Sequence, residues 1–440
     1  MTREINHTHD PAAGSWVASA QHEGTDFPIQ NLPFAVFRRA GAGEAWRGGV
    51  AIGDQIVDLA ALSATGLLSG DAAAAALACN SAALNGFFAL GPIVWRSLRH
   101  ALFALLGEEA SPSDRRALAA CLVAQAEATF KVPVDIGDYS DFYTSLYHAE
   151  NVSSAAGIQL VTPNFKWMPL VYHGRASSIE VSGHRFRRPA GQTKARDADV
   201  PVLRACRSLD YELELAIYVG QGNPSGEPVE IGSAESRIFG IGLLNDWSAR
   251  DIQFWEQAPL GPFLGKNFAT TVSPWIVTME ALAPYRLAPS RRAGDPQPLA
   301  YLDSEDNRAS GAIDITLEVW LGSARQRTEG TSMTRVSSTS FRHQYWTVAQ
   351  MVTHHTVNGC NLRIGDVLGS GTVSGPARDE AGALIELAEA GRKPIRLETG
   401  ELRSFIEDGD MVTLAGRCVR DGFAHIGFGR CTAEVLPAAV

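Results

Sequence analysis

The chain has 440 residues, which is enough for one large domain or for two ordinary ones. Hydrophobic residues make up 45% of it and charged residues 20%, a globular composition that excludes the disordered and fibrous classes of protein. The net charge of -10 argues against nucleic acid or an anionic membrane as the main partner, because phosphate neutralisation needs clustered Lys and Arg. It leaves the binding of a divalent cation open.

The cysteines and the start of the chain predict a reducing, intracellular setting. None of the six cysteines forms a Cys-x-x-Cys pair, so a zinc ribbon, a thioredoxin-type motif and a dense disulfide framework are not expected. Residues 1–14 are polar and lack the apolar stretch of a signal peptide. No apolar run approaches the ~20 residues of a membrane helix. We therefore predict a soluble cytoplasmic protein that binds neither nucleic acid nor membrane.

The first third of the chain predicts a small antiparallel sheet or barrel followed by helices. Short β-rich runs separated by Gly turns predict strands, at residues 34–39, 48–52 and 55–59. Helical spacing predicts helices over 85–107 and 113–130, the second with Asp114 as its N-cap. The helical pattern ends just before a proline, so we predict a domain boundary that divides the chain into residues 1–131 and 132–440.

The rest of the chain predicts a larger β-rich domain. Short apolar runs between Gly and Pro turns predict its strands, at residues 178–182, 211–219, 238–244, 312–321, 366–372, 384–388 and 411–417. One convincing helix is predicted over residues 341–358. Many strands with few helices between them indicate a mixed or antiparallel arrangement, and therefore an α+β, β-rich fold class.

Two acids in the run Tyr211-Glu212-Leu213-Glu214-Leu215-Ala216 stand two residues apart on a predicted strand. Alternate residues of a strand point to one face, so Glu212 and Glu214 share a face while Leu213 and Leu215 share the other. Taken alone, such a pair is most simply a solvated strand face.

Two further acids favour a different interpretation. Asp246 follows the apolar run over 238–244, and Asp141 lies in an aromatic-rich segment. Together with Glu212 and Glu214 they would form an all-oxygen donor set, which suits Ca²⁺ or Mg²⁺. Four carboxylates crowded together would repel one another, so their convergence would require a cation. The residues alone leave open whether they converge.

Among the eleven histidines, His148 stands out because it follows Asp141 closely. A lone histidine is more often structural than catalytic, so its role stays open at this point. His354 and His355 are adjacent on a predicted helix, face different directions, and are interpreted as packing or surface residues.

Two motifs fail their usual requirements. The dipeptide Gly265-Lys266 resembles a phosphate-binding loop, but Asn267 replaces the required Ser or Thr, so nucleotide binding is not predicted. The run from Gly371 to Gly375 contains Ser374 off its centre and therefore does not match a nucleophile elbow.

With these residues in view, the chain resembles the fumarylacetoacetase family nearly from end to end. The matching motifs are long and follow the family's order: residues 26–33, Gly53-Asp54-Gln55-Ile56, Gly137-Asp138-Tyr139-Ser140-Asp141-Phe142-Tyr143, residues 172–178, Asn245-Asp246-Trp247-Ser248-Ala249-Arg250-Asp251-Ile252-Gln253, residues 261–266 and residues 354–361. The resemblance implies a small N-terminal SH3-like barrel domain, a larger C-terminal domain of mixed β-sandwich or roll type, and a homodimer. It also implies cleavage of a C–C bond by hydrolysis.

The resemblance further implies the roles of individual residues. The ligands of a Ca²⁺ or Mg²⁺ ion are expected to be Asp141, Glu212, Glu214 and Asp246, helped by Lys266 and Thr270. The catalytic set is expected to contain the general base His148, its supporting carboxylate Glu386, and the polar groups around the leaving enolate, Arg250, Gln253 and Lys266. The substrate is expected to contact Tyr143, Tyr172, Gln253, Gln257 and Thr372.

The residue types suit that chemistry. A 1,3-diketone can chelate a hard cation through both oxygens, which polarises the carbonyl group that water attacks. Water needs a base that titrates near neutrality, such as an imidazole oriented by a carboxylate. The carbanion that leaves must spread its charge onto oxygens held by cations.

Three departures from the family pattern predict an altered substrate pocket. No arginine occurs between His148 and Arg175, whereas the family has one about nine residues after the base. Gln257 replaces a tyrosine, and Ala269 replaces a glycine. The missing arginine would have bound a carboxylate group of the substrate through two hydrogen bonds, so its loss weakens the prediction that fumarylacetoacetate itself is the substrate.

Three functions follow as hypotheses. The first is a metal-dependent hydrolase of a fumarylacetoacetate-like 1,3-diketo acid, as in the last step of tyrosine and homogentisate breakdown. The second is a related enzyme that acts on another 2-oxo or diketo acid: an acylpyruvate hydrolase, a decarboxylase or an isomerase. The third is a non-catalytic relative that binds a small acid. The intact His148 and Glu386 favour activation of water.

Overall fold

The computed structural model describes residues 3–41, 43–195 and 197–439. Its architecture is mixed α and β, rich in strands, with a small sheet near the N-terminus, one large sheet of eight strands and a second sheet of five strands. The predicted α+β, β-rich fold class is confirmed. The division of the chain at residues 131 and 132 stays a prediction.

The small sheet has five antiparallel strands. Its central strands, Phe34–Arg39, Arg47–Ile52 and Gln55–Asp58, agree with the three predicted runs to within a residue. The strands at its two edges, Leu122–Ala124 and Ala128–Lys131, were not predicted. The chain leaves the sheet after its third strand, forms helices, and returns to complete both edges.

The first predicted helix, over 85–107, is interrupted. The structure has the short helix Asn85–Phe88 and the long helix Pro92–Leu106 in its place. Between them Gly91 adopts a left-handed φ of 83°, and Pro92 starts the second helix. A proline is favourable at this first position because its missing N–H is not needed there.

The second predicted helix, over 113–130, is wrong in its C-terminal half. Helix Pro112–Ala119 is followed by the two edge strands of the small sheet, so pairing with that sheet overrides the helical spacing. The N-cap is Ser111 rather than Asp114: the Ser111 side chain accepts a hydrogen bond from the backbone N–H of Asp114. The remaining helices of this region are Leu59–Ser63 and Gly70–Ala78.

The large sheet carries the candidate site. Its strand order is Leu170–Gly174, Tyr139–Tyr143, Val367–Gly369, Leu213–Val219, Ile238–Asp246, Thr270–Val272 and Ile179–Val181, and Val277–Thr278 also pairs with Ile238–Asp246. Two neighbouring pairs are parallel and the others are antiparallel. Strands that are far apart in sequence are therefore adjacent in space.

A second sheet packs behind the large one. Its order is Thr334–Ser340, Thr316–Gly322, Met411–Cys418, Ile426–Leu436 and His184–Arg187. Four two-stranded ladders complete the strands: Ala190–Thr193 with Val202–Ala205, Leu209–Asp210 with Ser248–Ala249, Arg286–Leu287 with Ala312–Ile313, and Ile395–Arg396 with Leu402–Arg403.

The C-terminal helices are short. They are Leu146–Ala156, Ile231–Ala234, Arg250–Glu256, Glu305–Ser310, Ala324–Glu329, Val348–Thr356 and Leu384–Leu387. The predicted helix over 341–358 begins as a separate single turn, Phe341–His343, before Val348–Thr356. The predicted strand over 384–388 is wrong, because residues 384–387 form a helical turn. None of the helices in the described ranges combines the length and apolar character that a bilayer crossing requires.

Strand Leu213–Val219 is buried on both faces. Its odd-numbered residues belong to the same hydrophobic core as Leu317 and Leu414 of the second sheet. On its other face Ala216 and Tyr218 belong to a second core, shared with the small sheet and with helix Pro92–Leu106. Glu214 lies on this second face and is completely buried.

Candidate active site

Three acids of the large sheet converge at one place. Asp141, Glu214 and Asp246 each offer a carboxylate oxygen, and these oxygens all lie within 4.8 Å of one another. Each acid belongs to a different strand of the sheet, and all three side chains are buried. The fold therefore gathers residues from three separate segments of the chain, the first and last of which lie more than a hundred positions apart.

Gly369 provides the room for this acidic trio. It lies on the strand between those of Asp141 and Glu214 and is paired directly with Asp141. A Cβ atom at this position would lie 3.0 Å from Asp141 Oδ1, 3.1 Å from Glu214 Oε2 and 2.7 Å from the hydroxyl of Tyr139. A side chain at position 369 would therefore fill the space between the carboxylates.

The donor set fits a hard divalent cation. Asp141 Oδ1 and Glu214 Oε1 are buried and accept no hydrogen bond from the described residues. Burial raises the pKa of both carboxyl groups well above their usual range, and the neighbouring carboxylates raise them further. Buried carboxylates of this kind remain ionised when a cation neutralises them. Oxygen donors alone are the preferred ligands of Ca²⁺ and Mg²⁺.

Glu212, the fourth predicted ligand, has a different environment. Its carboxylate lies 2.6 Å from Arg250 Nη1 and 2.7 Å from Lys266 Nζ. Burial opposes the ionisation of Glu212, but Lys266 and Arg250 outweigh it and lower the pKa of its carboxyl group. Among the described residues, the group of oxygens within 4.8 Å of one another contains Asp141, Glu214 and Asp246, without Glu212. The role of Glu212 as a ligand stays a prediction.

Lys266 connects Glu212 to the acidic trio. Its Nζ atom lies 2.6 Å from Asp246 Oδ2, so one ammonium group serves two carboxylates. Burial would lower the pKa of Lys266, but Asp246 and Glu212 outweigh it and raise that pKa. Thr270 donates a hydrogen bond of 3.1 Å to the other oxygen of Asp246. Lys266 and Thr270 therefore both position the same acid.

His148 lies on helix Leu146–Ala156 and is almost completely buried. Its Nδ1 atom is 2.6 Å from Glu386 Oε1, which orients the ring and leaves Nε2 for other partners. Glu386 also accepts hydrogen bonds from the Asn151 amide at 2.8 Å and from the Ser374 hydroxyl at 2.9 Å. The carboxylate is thus fixed from three sides.

Comparison with known proteins places this chain in a family. Residues 30–133 match the model of the fumarylacetoacetase N-terminal region, and residues 139–436 match that of the fumarylacetoacetate (FAA) hydrolase C-terminal region. A fumarylacetoacetase of Caenorhabditis elegans is 47% identical over 429 residues, with 95% of this chain and 98% of the relative covered. A human fumarylacetoacetase is 46% identical over 426 residues, with 94% and 97% covered. The chain belongs to the fumarylacetoacetase family.

A solved structure titled a fumarylacetoacetate hydrolase from psychrophilic Exiguobacterium antarcticum is also similar. It is 16% identical, covers 92% of this chain and 99% of its own, and superimposes with a TM-score of 0.48. The resemblance to the fumarylacetoacetase family that the motifs indicated is confirmed by the curated relatives.

The residues that the family resemblance predicts to contact the substrate lie in different environments. The Tyr143 hydroxyl and Thr372 Oγ1 are buried and have no hydrogen-bond partner among the described residues. Tyr172 donates a hydrogen bond to Asp141 Oδ2. Gln253 accepts a bond of 3.3 Å from Arg250, and Gln257 lies half-buried just after helix Arg250–Glu256.

A cavity of about 150 Å³ reaches part of this constellation. Its walls include Tyr172, Asp246, Lys266 and Thr270, which are all candidate site residues, and the exposed ring of Phe263. The ring of Tyr143 packs edge-on against that of His148, with ring centroids 5.6 Å apart. The cavity thus reaches Asp246 of the acidic trio, and an aromatic ring packs beside His148.

The residues that hold Glu386 were not predicted from the sequence. Asn151 follows His148 by three positions on one helix, and that spacing places both side chains on the same helical face. Ser374 was noted only as a failed nucleophile motif. Tyr139 was also missed, although its buried hydroxyl lies next to the trio without a hydrogen-bond partner in the described ranges.

Replacement of Glu214 by Gln tests the acidic trio. We expect the affinity for Ca²⁺ or Mg²⁺ to fall by more than about tenfold. Mutation of a residue that only supports a metal ligand already lowers metal affinity by about 10- to 100-fold. Isothermal titration calorimetry with each ion measures this affinity. Glu386→Gln is the matched control, because it neutralises another buried carboxylate outside the trio and should leave metal affinity unchanged. Equal affinities for both variants and the unsubstituted protein would contradict the assignment.

The raised pKa values of Asp141 and Glu214 predict that metal binding depends on pH. The metal-free fold binds more protons than the unfolded chain, so its stability falls as pH rises through these raised pKa values. A cation competes with those protons, so metal affinity rises over the same range and binding releases protons. Calorimetry in buffers with different ionisation enthalpies counts the released protons. Binding without proton release at any pH would contradict this prediction.

Proposed function

We propose that this protein is a metal-dependent hydrolase that cleaves a C–C bond of a fumarylacetoacetate-like 1,3-diketo acid. The observation that carries the proposal is the His148–Glu386 pair, which lies near Glu212, together with the buried acidic trio to which Lys266 joins Glu212. Identity of 47% and 46% to two fumarylacetoacetases over nearly the whole chain supports the reaction and its place in tyrosine breakdown.

In the proposed reaction His148 activates water. With Nδ1 directed at Glu386, Nε2 is the atom that accepts a proton as water adds to a carbonyl carbon of the substrate. The negative charge of Glu386 stabilises the imidazolium that forms. The bond to the adjacent methylene carbon then breaks, giving a carboxylic acid and a carbanion in its enolate form. Return of the proton to the carbanion completes the hydrolysis.

The leaving enolate carries negative charge on oxygen, and we propose that two cations of the site stabilise it. Lys266 and Arg250 are buried, and both are held by Glu212. Fixed cations in a site shielded from water stabilise developing charge more strongly than they would in solution. We propose that Gln253, which accepts a hydrogen bond from Arg250, adds a polar contact.

The acidic trio would hold the divalent ion, with Glu212, Lys266 and Thr270 around it. When bound, such an ion polarises the diketone and neutralises its enolate. We propose Ca²⁺ or Mg²⁺, because the donors are carboxylate oxygens. We also propose that the protein is a cytoplasmic homodimer, following the family resemblance, and that its partner is a small diketo acid rather than nucleic acid or membrane. The net charge of -10 supports the last point.

One observation favours a second candidate substrate class. Where the family resemblance leads us to expect an arginine, helix Leu146–Ala156 ends at Gly157 in a left-handed conformation, and position 257 holds Gln in place of tyrosine. A pocket without that arginine has lost a bidentate partner for a distal carboxylate. A shorter acylpyruvate would not need this partner. Hydrolysis of an acylpyruvate is therefore the alternative; decarboxylation or isomerisation would leave the His148–Glu386 pair without a water to activate.

A substrate panel distinguishes these candidates. We expect loss of absorbance of fumarylacetoacetate on addition of enzyme and divalent ion, with a higher kcat/KM than for acylpyruvates or neutral diketones. A higher kcat/KM for a short acylpyruvate would identify the second candidate. Failure to consume any diketone, with the ion bound, would reject hydrolysis and favour a non-catalytic protein that binds small acids.

Replacement of His148 by Ala tests the proposed base. We expect kcat to fall by about 10²- to 10⁴-fold, the usual worth of a general base, while metal affinity stays unchanged. His354→Ala is the control, because His354 contacts the Tyr301 hydroxyl on a helix outside the site and should leave kcat unchanged. Near-normal turnover by His148→Ala would remove this residue from the mechanism.

A further inference from the structure

Asp210 is completely buried and directly precedes the segment that carries Glu212 and Glu214. It lies on the short strand Leu209–Asp210, which pairs with Ser248–Ala249. Both of its carboxylate oxygens accept hydrogen bonds, from a side chain and from the backbone. Neither the motif analysis nor the family resemblance assigned a role to this residue.

The first connection of Asp210 is to the helical turn that carries Glu386. The backbone N–H groups of Leu384 and Ile385 donate to Asp210 at 2.8 Å and 3.1 Å. These are the first two residues of the turn Leu384–Leu387, whose own N-cap residue, Ala383, has no side chain that can accept a hydrogen bond. N–H groups at the start of a helical turn need an acceptor, and Asp210 supplies it from another part of the chain.

The second connection of Asp210 is to Arg250. The guanidinium group donates to Asp210 Oδ2 through Nε at 2.9 Å, and its Nη1 atom faces Glu212 at 2.6 Å. Arg250 is therefore held between two carboxylates, with one end fixed by Asp210 and the other directed into the site. Glu212 in turn forms an ion pair with Lys266, and Lys266 forms another with Asp246 of the acidic trio.

We propose that Asp210 is a positioning residue that couples the two halves of the active site. Through one set of hydrogen bonds it fixes the turn that holds Glu386 against His148, and through the other it fixes Arg250 at the enolate. It touches neither the substrate nor the ion. This inference rests on the proposed hydrolase function and extends it to a residue outside the contacting set.

Asp210→Asn is the decisive substitution. Asparagine has the same shape but replaces one acceptor oxygen with an NH₂ group. In place of Oδ1 this group would face the N–H groups of Tyr211 and Leu384, and in place of Oδ2 it would face Arg250 and the N–H of Ile385. We expect kcat to fall by about 10²-fold, the cost of a misplacement of about 1 Å in a reacting group. KM should change much less, because Arg250 and His148 act on charge that develops in the transition state.

Asp410→Asn is the matched control. Asp410 is also completely buried, pairs with a buried arginine, Arg403, at 2.8 Å and 3.0 Å, and accepts a backbone N–H bond from Glu407 at 2.9 Å. Both substitutions therefore disturb a buried Asp–Arg pair and should lower the melting temperature. Only Asp210→Asn should lower kcat in the protein that remains folded at the assay temperature. Equal kcat for the two variants would overturn the proposal.

Double variants test the coupling itself. If Asp210 acts through Glu386 and Arg250, its replacement should lower kcat much less in the backgrounds Glu386→Gln and Arg250→Met than in the unsubstituted enzyme. A purely structural role predicts the same fold loss in every background. If the fold loss in kcat of each double variant equalled the product of the losses of its two single variants, Asp210 would be rejected as a positioning residue.

A second readout needs no turnover and separates this inference from the proposed function. The proton on His148 Nδ1, bonded to Glu386, should give a far-downfield signal in nuclear magnetic resonance spectra, assigned by its absence from His148→Ala. We expect this signal to be lost or broadened in Asp210→Asn and kept in Asp410→Asn. Its retention in both variants would overturn the inference even in an active enzyme. Its selective loss would support the inference even if the true substrate were different.

Discussion

The organisation of the site follows from the burial of several negative charges in the interior of a sheet. Asp141, Glu214 and Asp246 share one small space, and like charges at such distances cannot all remain ionised without positive charge beside them. The chain supplies part of that charge through Lys266, which is shared with Glu212. The rest must come from protons or from a cation. Proton binding and stability are therefore linked in this protein, and a bound cation would be linked to both.

Two acids that the sequence analysis treated as equivalent ligands have opposite environments. Both cations within 3 Å of Glu212 favour its ionised form, while burial and neighbouring acids raise the pKa of Glu214. This difference separates two tasks. Glu212 holds Arg250 and Lys266, the two cations proposed to stabilise the enolate, and Glu214 belongs to the space that fits an ion.

Local patterns predicted the parts of the structure that depend on short stretches of chain. The three central strands of the small sheet followed from turn residues and alternation, and the shared face of Glu212 and Glu214 followed from their spacing. The wrong predictions have a common cause: tertiary contacts determine the secondary structure of these segments. Residues 122–131 pair with strands formed much earlier, and the turn Leu384–Leu387 is capped by Asp210, which is 174 positions away from Leu384.

The convergence of the site could not be derived from spacing for the same reason. Asp141, Glu214 and Asp246 become neighbours only through a strand order in which Val367–Gly369 lies between two of their strands. Family resemblance supplied that information indirectly, as a set of matching positions. It did not supply Asn151, Ser374 or Asp210, whose importance is visible only in the hydrogen bonds that they make.

Strand Leu213–Val219 links the site to both hydrophobic cores, and this has an architectural consequence. Ala216 and Tyr218 share their core with Phe34 and Trp95 from the first third of the chain. The N-terminal elements thus form the supporting wall beneath the strand that carries Glu214. An exchange of this region between relatives would have to preserve the shape of that wall, so the two sequence regions are expected to evolve as matched surfaces rather than as interchangeable modules.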